Sequence, residues 1–117
     1  MLQFLRGIAF MIVVLLLCEA AVAQDPDKLF SANQIMSGCR AIISKNDAGT
    51  SFFQAHCLGI VEAISVVAPD LCIPPGVTTG QDIRVIVKYI DDRPARLHER
   101  FIPLALEALR AAWPCKK

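Results

Sequence analysis

The sequence predicts an all-α fold, a small domain of four to five helices closed by two disulfides. Four segments repeat apolar side chains at the three- and four-residue spacing of a helix, and strand-like alternation never exceeds four residues. Hydrophobic residues make up 55% of the 117 residues and charged residues 20%, a balance that excludes a disordered chain. A formal net charge of +1 without a basic run argues against nucleic acid as a partner.

Residues 1–23 have the layout of a secretory signal peptide. Arg6 precedes an apolar run at 8–18, and an Ala-x-Ala cleavage motif ends at Ala23. We therefore predict cleavage between Ala23 and Gln24, which leaves 94 residues. The eleven-residue run spans about 16 Å as a helix, roughly half of a bilayer core, so we expect no stable membrane insertion.

The exported chain is expected in the periplasm. Lipidation at Cys18 is a competing interpretation, but Leu17 is bulkier than the small residue that normally precedes a lipidated cysteine. After cleavage, residues 24–29 would form a polar leader and residues 30–117 the helical domain. The periplasm is oxidising, so the cysteines of the mature domain are expected to pair as disulfides.

Two helices are predicted in the first half of the domain, at about 32–44 and about 52–68. Ser31 and Gln34 have the spacing of a capping box at the start of the first helix, and a polar turn at 45–50 separates the two. The side chains expected to face the core are Ile35, Met36, Cys39, Ile42 and Ile43 in the first helix, and Phe53, Cys57, Ile60, Ile64 and Val67 in the second.

A third helix is predicted at about 80–91, after a loop at 72–78 whose two prolines lack backbone donors. Gly76 permits a tight bend within that loop. Two capping boxes fit the start of the helix: Thr78 with Gln81, and Thr79 with Asp82. The inward stripe would consist of Ile83, Ile86, Val87 and Ile90, and the outward side chains of Arg84, Lys88 and Asp91.

A fourth helix is predicted at about 95–112, with Pro94 in its first turn. Pro103 falls inside this run and should kink or split the helix, because it leaves the carbonyl of Glu99 without a partner. The inward side chains would be Leu97, Phe101, Leu104, Ala108 and Ala112.

Four cysteines remain in the mature chain, and four cysteines allow three pairings. Cys39 and Cys57 each lie nine residues from the centre of the predicted turn, so they share one height in an antiparallel helix pair. Cys72 precedes the third helix and Cys115 follows the fourth, and these two ends also meet in an antiparallel pair. We therefore predict the disulfides Cys39–Cys57 and Cys72–Cys115. The spacings lack the Cys-x2-4-Cys pairs of a structural zinc site, so no metal is expected.

The two histidines do not form a recognisable catalytic site. His56 adjoins Cys57, but adjacent helical residues point about 100° apart, and Cys57 is assigned to a disulfide. His98 lies among charged residues, where a solvated helix face explains it. The sequence also lacks a nucleophile elbow, a phosphate-binding glycine loop and a His-Glu-x-x-His motif. We predict that the protein is not an enzyme and holds no cofactor.

Four short motifs occur in order along the mature chain. They are Cys39-Arg40-Ala41, Cys57-Leu58-Gly59, Cys72-x-Pro74-x-Gly76-Val77-Thr78-x-x-Gln81 and Trp113-Pro114-Cys115-Lys116. This ordered set resembles the Rap/Tai family of immunity proteins over about residues 30–116. The chain departs from the family pattern at Ile60 and Val66, where an aromatic and an acidic residue are common.

The resemblance implies an exported, mostly helical, disulfide-bonded protein that is often dimeric. Rap/Tai proteins protect bacteria from type VI secretion amidase toxins. The target that the resemblance implies is a papain-like peptidoglycan amidase, whose Cys–His active site the immunity protein occludes. Our primary hypothesis is therefore inhibition of such a cell-wall amidase in the periplasm. Two alternatives without a toxin partner stay open: a small periplasmic helical chaperone and a carrier for an apolar ligand.

The bend between the third and fourth helices is the predicted partner-binding surface. An inhibitor of an active-site cleft needs a protruding, ordered element, and Pro94 stiffens this bend. The bend carries side chains of both charges that can hydrogen-bond with a polar cleft: Asp91, Asp92, Arg93, Arg96, His98 and Glu99. The competing candidate is the loop Pro74–Thr78, which is equally stiff but uncharged.

A homodimer is also predicted. The second helix carries apolar residues on more than one face, among them Phe52, Leu58 and Val61 beside the main stripe. A single small core covers one broad face of each helix. The excess apolar surface is therefore expected to pack against a second copy of the chain.

Overall fold

The structure is a computed structural model that describes residues 1–19, 30–44 and 52–116. Within these ranges the chain forms five α-helices and one short 3-10 turn, Pro94–Arg96. The helices are α1 (Leu2–Glu19), α2 (Ala32–Ile43), α3 (Phe52–Val67), α4 (Thr79–Asp91) and α5 (Phe101–Ala112). The predicted all-α class is confirmed.

Helix α1 contains the apolar run of the predicted signal peptide. Its side chains include Phe4 and Phe10, which are exposed. Ala23, Gln24 and the leader at 24–29 lie outside the described residues, so cleavage stays a prediction. Among the helices that the structure describes, none has both the length and the apolar character to cross a membrane.

Helices α2 and α3 cross in close contact. The disulfide Cys39–Cys57 joins them, with the two Cα atoms 5.4 Å apart, as predicted from the spacing. Gly38, the residue before Cys39, packs against the backbone of α3. A β-carbon at this position would overlap the carbonyl group of Phe53. The lack of a side chain at Gly38 therefore sets the distance between the helices. The predicted turn at 45–50 lies outside the described residues.

The core lies between helices α2, α3, α4 and α5. Its buried apolar side chains come from all four helices, and the stripe predicted for the third helix is confirmed in full. These residues are Ala32, Ile35, Met36, Cys39, Cys57, Val61, Ile64, Ile83, Ile86, Val87, Ile90, Phe101, Leu104, Ala105, Ala108 and Leu109. The disulfide between Cys39 and Cys57 thus lies within the core.

Two predicted positions on α3 are wrong. Val67, which was placed on the core stripe, is 72% exposed, whereas Val61, which was placed on the excess outer surface, is fully buried. Val61 lies four residues after Cys57 and three before Ile64, so it falls between two core-facing positions on the helix surface. Val67 is the last residue of α3, where the 3.6-residue repeat has rotated it away from the core.

The fourth predicted helix is split. The 3-10 turn occupies Pro94–Arg96, and α5 begins only at Phe101. Pro103 therefore lies in the first turn of α5, where its missing N–H is not needed. The carbonyl of Glu99 accepts a hydrogen bond from the N–H of Ala32 instead, at 2.8 Å. The predicted split is therefore present, but the break lies before Pro103, and the predicted helix at 95–112 is corrected to a 3-10 turn followed by a shorter helix.

The segment before α5 caps the start of α2. The carbonyl of Leu97 accepts a hydrogen bond from the N–H of Asn33 at 2.9 Å, next to the bond that Glu99 accepts. In the other direction, the N–H of Phe101 donates to the carbonyl of Phe30 at 2.9 Å. The first N–H groups of a helix have no partner within it, so these bonds satisfy both helix starts at once.

The predicted capping box of Ser31 with Gln34 is wrong. Ser31 is the residue before α2 and has extended backbone geometry, but its side chain makes no capping hydrogen bond. Ser31 instead forms an isolated antiparallel bridge with Arg100. Backbone carbonyls of the segment before α5 take the place of a side-chain cap, which no local sequence rule could foresee.

Helix α4 begins with the first of the two predicted capping boxes. The N–H of Gln81 donates to Thr78 Oγ1 at 3.3 Å, and the N–H of Thr78 donates to the Gln81 side chain at 2.9 Å. Asp82, from the alternative box, is buried. Its carboxylate accepts hydrogen bonds from the Ser65 hydroxyl at 3.0 Å and from the Trp113 indole N–H at 3.2 Å. Asp82 thereby joins α3, α4 and the C-terminal segment.

The second predicted disulfide fixes the C-terminal segment. Cys72 and Cys115 are bonded, with their Cα atoms 5.0 Å apart. The N–H of Cys72 also donates to the carbonyl of Trp113 at 3.2 Å. In the loop that follows, Gly76 has a φ of 90°, which is the tight bend expected there. Both predicted disulfides are therefore present.

Replacing Gly38 by alanine tests the close crossing of α2 and α3. The new β-carbon would overlap the Phe53 carbonyl group, so the helices must separate while the neighbouring disulfide holds them together. We expect Gly38→Ala to lower the free energy of unfolding by about 1–3 kcal/mol, measured by urea denaturation.

The matched control is Gly80→Ala on α4. A β-carbon at Gly80 meets its nearest atoms at 3.9 Å, which is ordinary contact. This variant should leave the free energy of unfolding unchanged or raise it by up to about 1 kcal/mol, because alanine loses less backbone freedom than glycine on folding. Equal stability of the two variants would show that Gly38 does not set the crossing distance.

Candidate functional site

The predicted partner-binding residues lie together where the chain passes from α4 towards α5. We define the corner as residues 91–99, which comprise the end of α4, the 3-10 turn and part of the segment that caps α2. All six predicted residues belong to it: Asp91, Asp92, Arg93, Arg96, His98 and Glu99. Their side chains divide into those that hold the corner in place and those that face solvent.

Asp91 fastens the corner to α2. Its Oδ1 atom accepts a hydrogen bond from Arg40 Nε at 3.2 Å and a shorter one from Arg40 Nη2. Both side chains are nearly half exposed, so the pair contributes little free energy by itself. Its effect is positional, because it links the last turn of α4 to the last turn of α2.

Arg96 is the centre of an ion-pair cluster. Its guanidinium donates to both carboxylate oxygens of Glu99, at 2.7 and 2.8 Å, and to both of Glu107, at 2.7 and 3.1 Å. The hydroxyl of Tyr89 also donates to Glu107, at 3.3 Å. The hydrogen bonds from Arg96 lower the pKa of Glu99 and the pKa of Glu107 below their usual range. The cluster ties the corner to α4 and α5.

Arg93 packs along the last turn of α4. Its guanidinium carbon lies 3.7 Å from the centroid of the Tyr89 ring, a cation–π contact. Its Nη1 atom also donates to the carbonyl of Tyr89 at 2.8 Å. Arg93 is thereby half-buried against its own helix.

Asp92 and His98 face solvent. Asp92 pairs with Lys88 one turn earlier at 3.1 Å, and the two side chains are 57% and 79% exposed. An exposed pair of this kind breaks at little cost, so Asp92 is able to turn towards a partner. His98 is exposed as well. The structure thus separates these two residues from Arg96 and Glu99, which are bonded within the protein.

Three residues of this arrangement were missed by the sequence analysis. Arg40 is 51 residues from Asp91, and Glu107 is 11 residues from Arg96, so no local spacing indicated either pair. Tyr89 is four residues before Arg93 on one helix face. That spacing is a signal from which their contact could have been found.

The competing loop, Pro74–Thr78, carries no charged side chain. The hydroxyl of Thr78 is already used in the capping box of α4. This loop therefore offers a partner backbone groups and apolar contacts, whereas the corner offers charged hydrogen-bonding groups. Among the residues that the structure describes, no group of three or more metal-binding side chains occurs at either place or elsewhere.

The outer surface of α3 is a second candidate interface. Phe52 is 56% exposed and Val66 80% exposed, and the sixteen residues of the helix include one charge, Glu62. We define the α3 face as the outward residues Phe52, Ala55, His56, Gly59, Glu62, Ala63 and Val66. A shallow, open recess of about 340 Å³ on this side of α3 is lined by Ala55, His56, Gly59 and Ile60.

Comparison with known proteins identifies the family. A family model described as Rap1a immunity proteins matches residues 31–115, from the start of α2 to the last cysteine of the second disulfide. The chain belongs to this family. No curated protein and no solved structure matches the chain significantly. The resemblance drawn from the four sequence motifs is therefore confirmed.

Membership in the Rap1a family assigns this protein to the toxin-immunity class. The matched range contains both disulfides, the corner and the α3 face. Paired cysteines are typical of secreted and periplasmic proteins, since those compartments are oxidising. The family thus sets the class of function, and the geometry of the Rap1a-type domain indicates which surfaces can perform it.

The Arg96 cluster makes the stability of this Rap1a-family protein depend on pH. Glu99 and Glu107 have a lower pKa in the folded protein than in the unfolded chain. Their pairing with Arg96 therefore stabilises the fold above the unfolded pKa, and this stabilisation is lost as the pH falls through the folded pKa. In urea denaturation, Arg96→Met should be less stable than the wild type at neutral pH. The difference should shrink below about pH 4.

Arg84→Met is the matched control for this experiment. The guanidinium of Arg84 approaches the carbonyl of Gly80 at 3.4 Å rather than a carboxylate. Its difference in stability from the wild type should stay constant over the same pH range. A constant difference for Arg96→Met would contradict the role of the cluster.

Proposed function

We propose that the protein is a periplasmic immunity protein that binds a type VI secretion peptidoglycan amidase and covers its papain-like Cys–His active site. Family membership supports the immunity role. The two disulfides are consistent with the periplasm. The four ordered motifs support an amidase as the target. Inhibition would come from binding alone, without a cofactor or a catalytic step.

The ordered corner is the observation that carries this proposal. The carbonyls of Leu97 and Glu99 accept backbone hydrogen bonds from the start of α2, and Arg96 binds Glu107 of α5, so the corner is held against two helices. A binding element that is ordered in the free protein loses less conformational entropy when it enters a complex. The corner can therefore enter a cleft without first having to fold.

Asp92 and His98 are the proposed contacts with the amidase. Both are exposed, and a carboxylate and an imidazole can pair with the polar groups of a Cys–His site. Arg96 and Glu99, which were predicted as contact residues, act here as positioning residues, because their charged groups already bind each other.

Replacing both Asp92 and His98 by alanine tests these contacts. The probe is a small papain-like Cys–His amidase of the type VI secretion class, assayed on purified peptidoglycan; we expect its gene to lie beside this one. The double variant should inhibit it more weakly, with binding reduced by about 2 kcal/mol or more, because charged contacts buried at an interface cost this much to lose. Asp70→Ala is the control, since it removes another exposed carboxylate, paired with Arg110 at 3.5 Å, outside the corner.

Each outcome of this assay separates the hypotheses. Unchanged inhibition by the double variant would show that the corner is not the surface that binds the amidase. The Pro74–Thr78 loop would then be the next candidate. A wild-type protein that does not bind the amidase would contradict the immunity proposal. That result would favour the chaperone or apolar-ligand carrier.

We also propose that the protein is a homodimer formed through the α3 face. In an antiparallel pair of α3 helices with a two-fold axis at Gly59, residues equally distant from Gly59 face one another. Phe52 then meets Val66 of the partner subunit, and Ala55 meets Ala63 of the partner subunit. Large side chains at the ends and small ones near the axis allow the two helices to approach closely.

The polar residues of the α3 face fit the same arrangement. His56 and Glu62 are equally distant from Gly59, so the imidazole of one subunit would face the carboxylate of the other. The rest of the face is apolar, whereas a helix face that stays in water normally carries several charges. The α3 face is therefore self-complementary in size, polarity and charge.

Gly59→Glu tests the proposed dimer. A β-carbon at Gly59 meets no atom within 4 Å, so the variant should fold normally while placing two carboxylates at the axis. Light scattering should give twice the monomer mass for the wild type and the monomer mass for Gly59→Glu. Ala111→Glu on α5, also exposed, is the matched control and should remain dimeric. A wild-type protein of monomer mass at micromolar concentration would exclude the dimer.

A further inference from the structure

A groove runs between α4 and α5 on the outside of the domain. Its volume is about 560 Å³, and it is open to solvent. The floor is apolar and consists mostly of small side chains: Val85, Tyr89, Ala108, Ala111 and Ala112. Neither the proposed amidase contacts nor the proposed dimer interface includes these floor residues, so the groove is available to another ligand.

Positive charges line one side of the groove. Arg84, Lys88 and Arg93 lie on α4 or just after it, and Asp92 is the one acidic residue of the lining. Arg84 makes a contact of 3.4 Å with the carbonyl of Gly80, which is weak for a hydrogen bond. The pair formed by Lys88 and Asp92 is exposed and is easily broken. The groove thus combines an apolar floor with a positively charged rim.

This combination fits an acidic amphipathic helix. The alanine side chains of the floor are short enough to let a third helix approach α4 and α5 closely. Arg84 and Lys88 are four residues apart on α4, so they match carboxylates spaced one turn apart on a helix that lies alongside. We propose that the groove binds an acidic amphipathic helix of a protein partner, with its apolar face on the floor and its carboxylates beside the rim.

A lipid is a poorer fit to the same surface. Pockets for small apolar ligands enclose most of their ligand, whereas this groove is open to solvent. An anionic membrane attracts proteins through clusters of several basic residues, but the chain has a formal net charge of only +1. A helical protein segment satisfies the apolar floor and the charged rim together.

Two synthetic helical peptides test the proposal on the mature protein. Both carry the same face of leucine and alanine, and this face is flanked by glutamates in one peptide and by lysines in the other. Fluorescence anisotropy should show at least about tenfold tighter binding of the glutamate peptide, because the rim is positively charged. Its affinity should fall as the ionic strength rises.

Two single substitutions locate the binding. Arg84→Glu reverses a charge on the rim, and Ala111→Glu places a carboxylate on the floor. Each should weaken binding of the glutamate peptide at least about tenfold. Arg110→Glu is the matched control, because Arg110 neighbours Ala111 but pairs with Asp70 outside the groove lining. This control should bind the glutamate peptide as the wild type does.

The same variants separate this site from the corner. Arg84 and Ala111 lie outside residues 91–99, so Arg84→Glu and Ala111→Glu should inhibit the amidase as the wild type does. The proposal would be overturned by equal binding of the two peptides, by no binding of the glutamate peptide, or by unchanged binding in both variants. Co-sedimentation with phosphatidylglycerol vesicles instead of peptide binding would also overturn it and assign the groove to a membrane.

Discussion

The hydrogen bond between the N–H of Ala32 and the carbonyl of Glu99 is the contact on which the rest of the domain depends. Pro103 has no N–H to donate to Glu99, so a helix cannot continue through this point. The free carbonyl is instead satisfied by the first turn of α2. With the neighbouring bond from Asn33 to Leu97, this contact fixes the angle between α2 and α5 and thereby shapes the corner.

The crossing of α2 and α3 is the second constraint. Gly38 allows the two backbones to meet, and the disulfide next to it makes that contact permanent. Once Cys57 and Val61 are buried in the core, the opposite side of α3 faces outward from the helices that the structure describes, and Phe52 stays exposed. A close contact on one side of a short helix thus leaves the apolar residues on its other side available to a second protein.

The charges of the corner illustrate how stability and recognition are divided among neighbouring residues. Arg96 directs four hydrogen bonds to two carboxylates, so its charge is used within the protein. This bonding orders the corner and leaves Asp92 at its surface. On the side towards α5, the cations of α4 keep a net positive charge beside an apolar groove. One short stretch of chain therefore separates two surfaces of different chemistry.

The sequence by itself determined the helical class, the buried stripe of α4 and both disulfides, because each depends on local periodicity or on spacing about a turn. It also indicated that Pro103 would interrupt a helix. Only the tertiary structure decided where the freed Glu99 carbonyl would bond, and so replaced the expected cap at Ser31 by carbonyls from a distant segment.

The same limit applies to the candidate site. Six charged or polar residues at the bend were predicted from the sequence as the partner-binding surface. Their roles depend on Arg40, which binds Asp91, and on Glu107, which binds Arg96, and both contacts form only when the helices pack. Local spacing cannot encode such contacts, since each pair joins residues of two different elements that meet only in the folded protein. The sequence therefore determined which residues gather at the corner, and the packing of α2 and α5 decided which of them remain free to meet a partner.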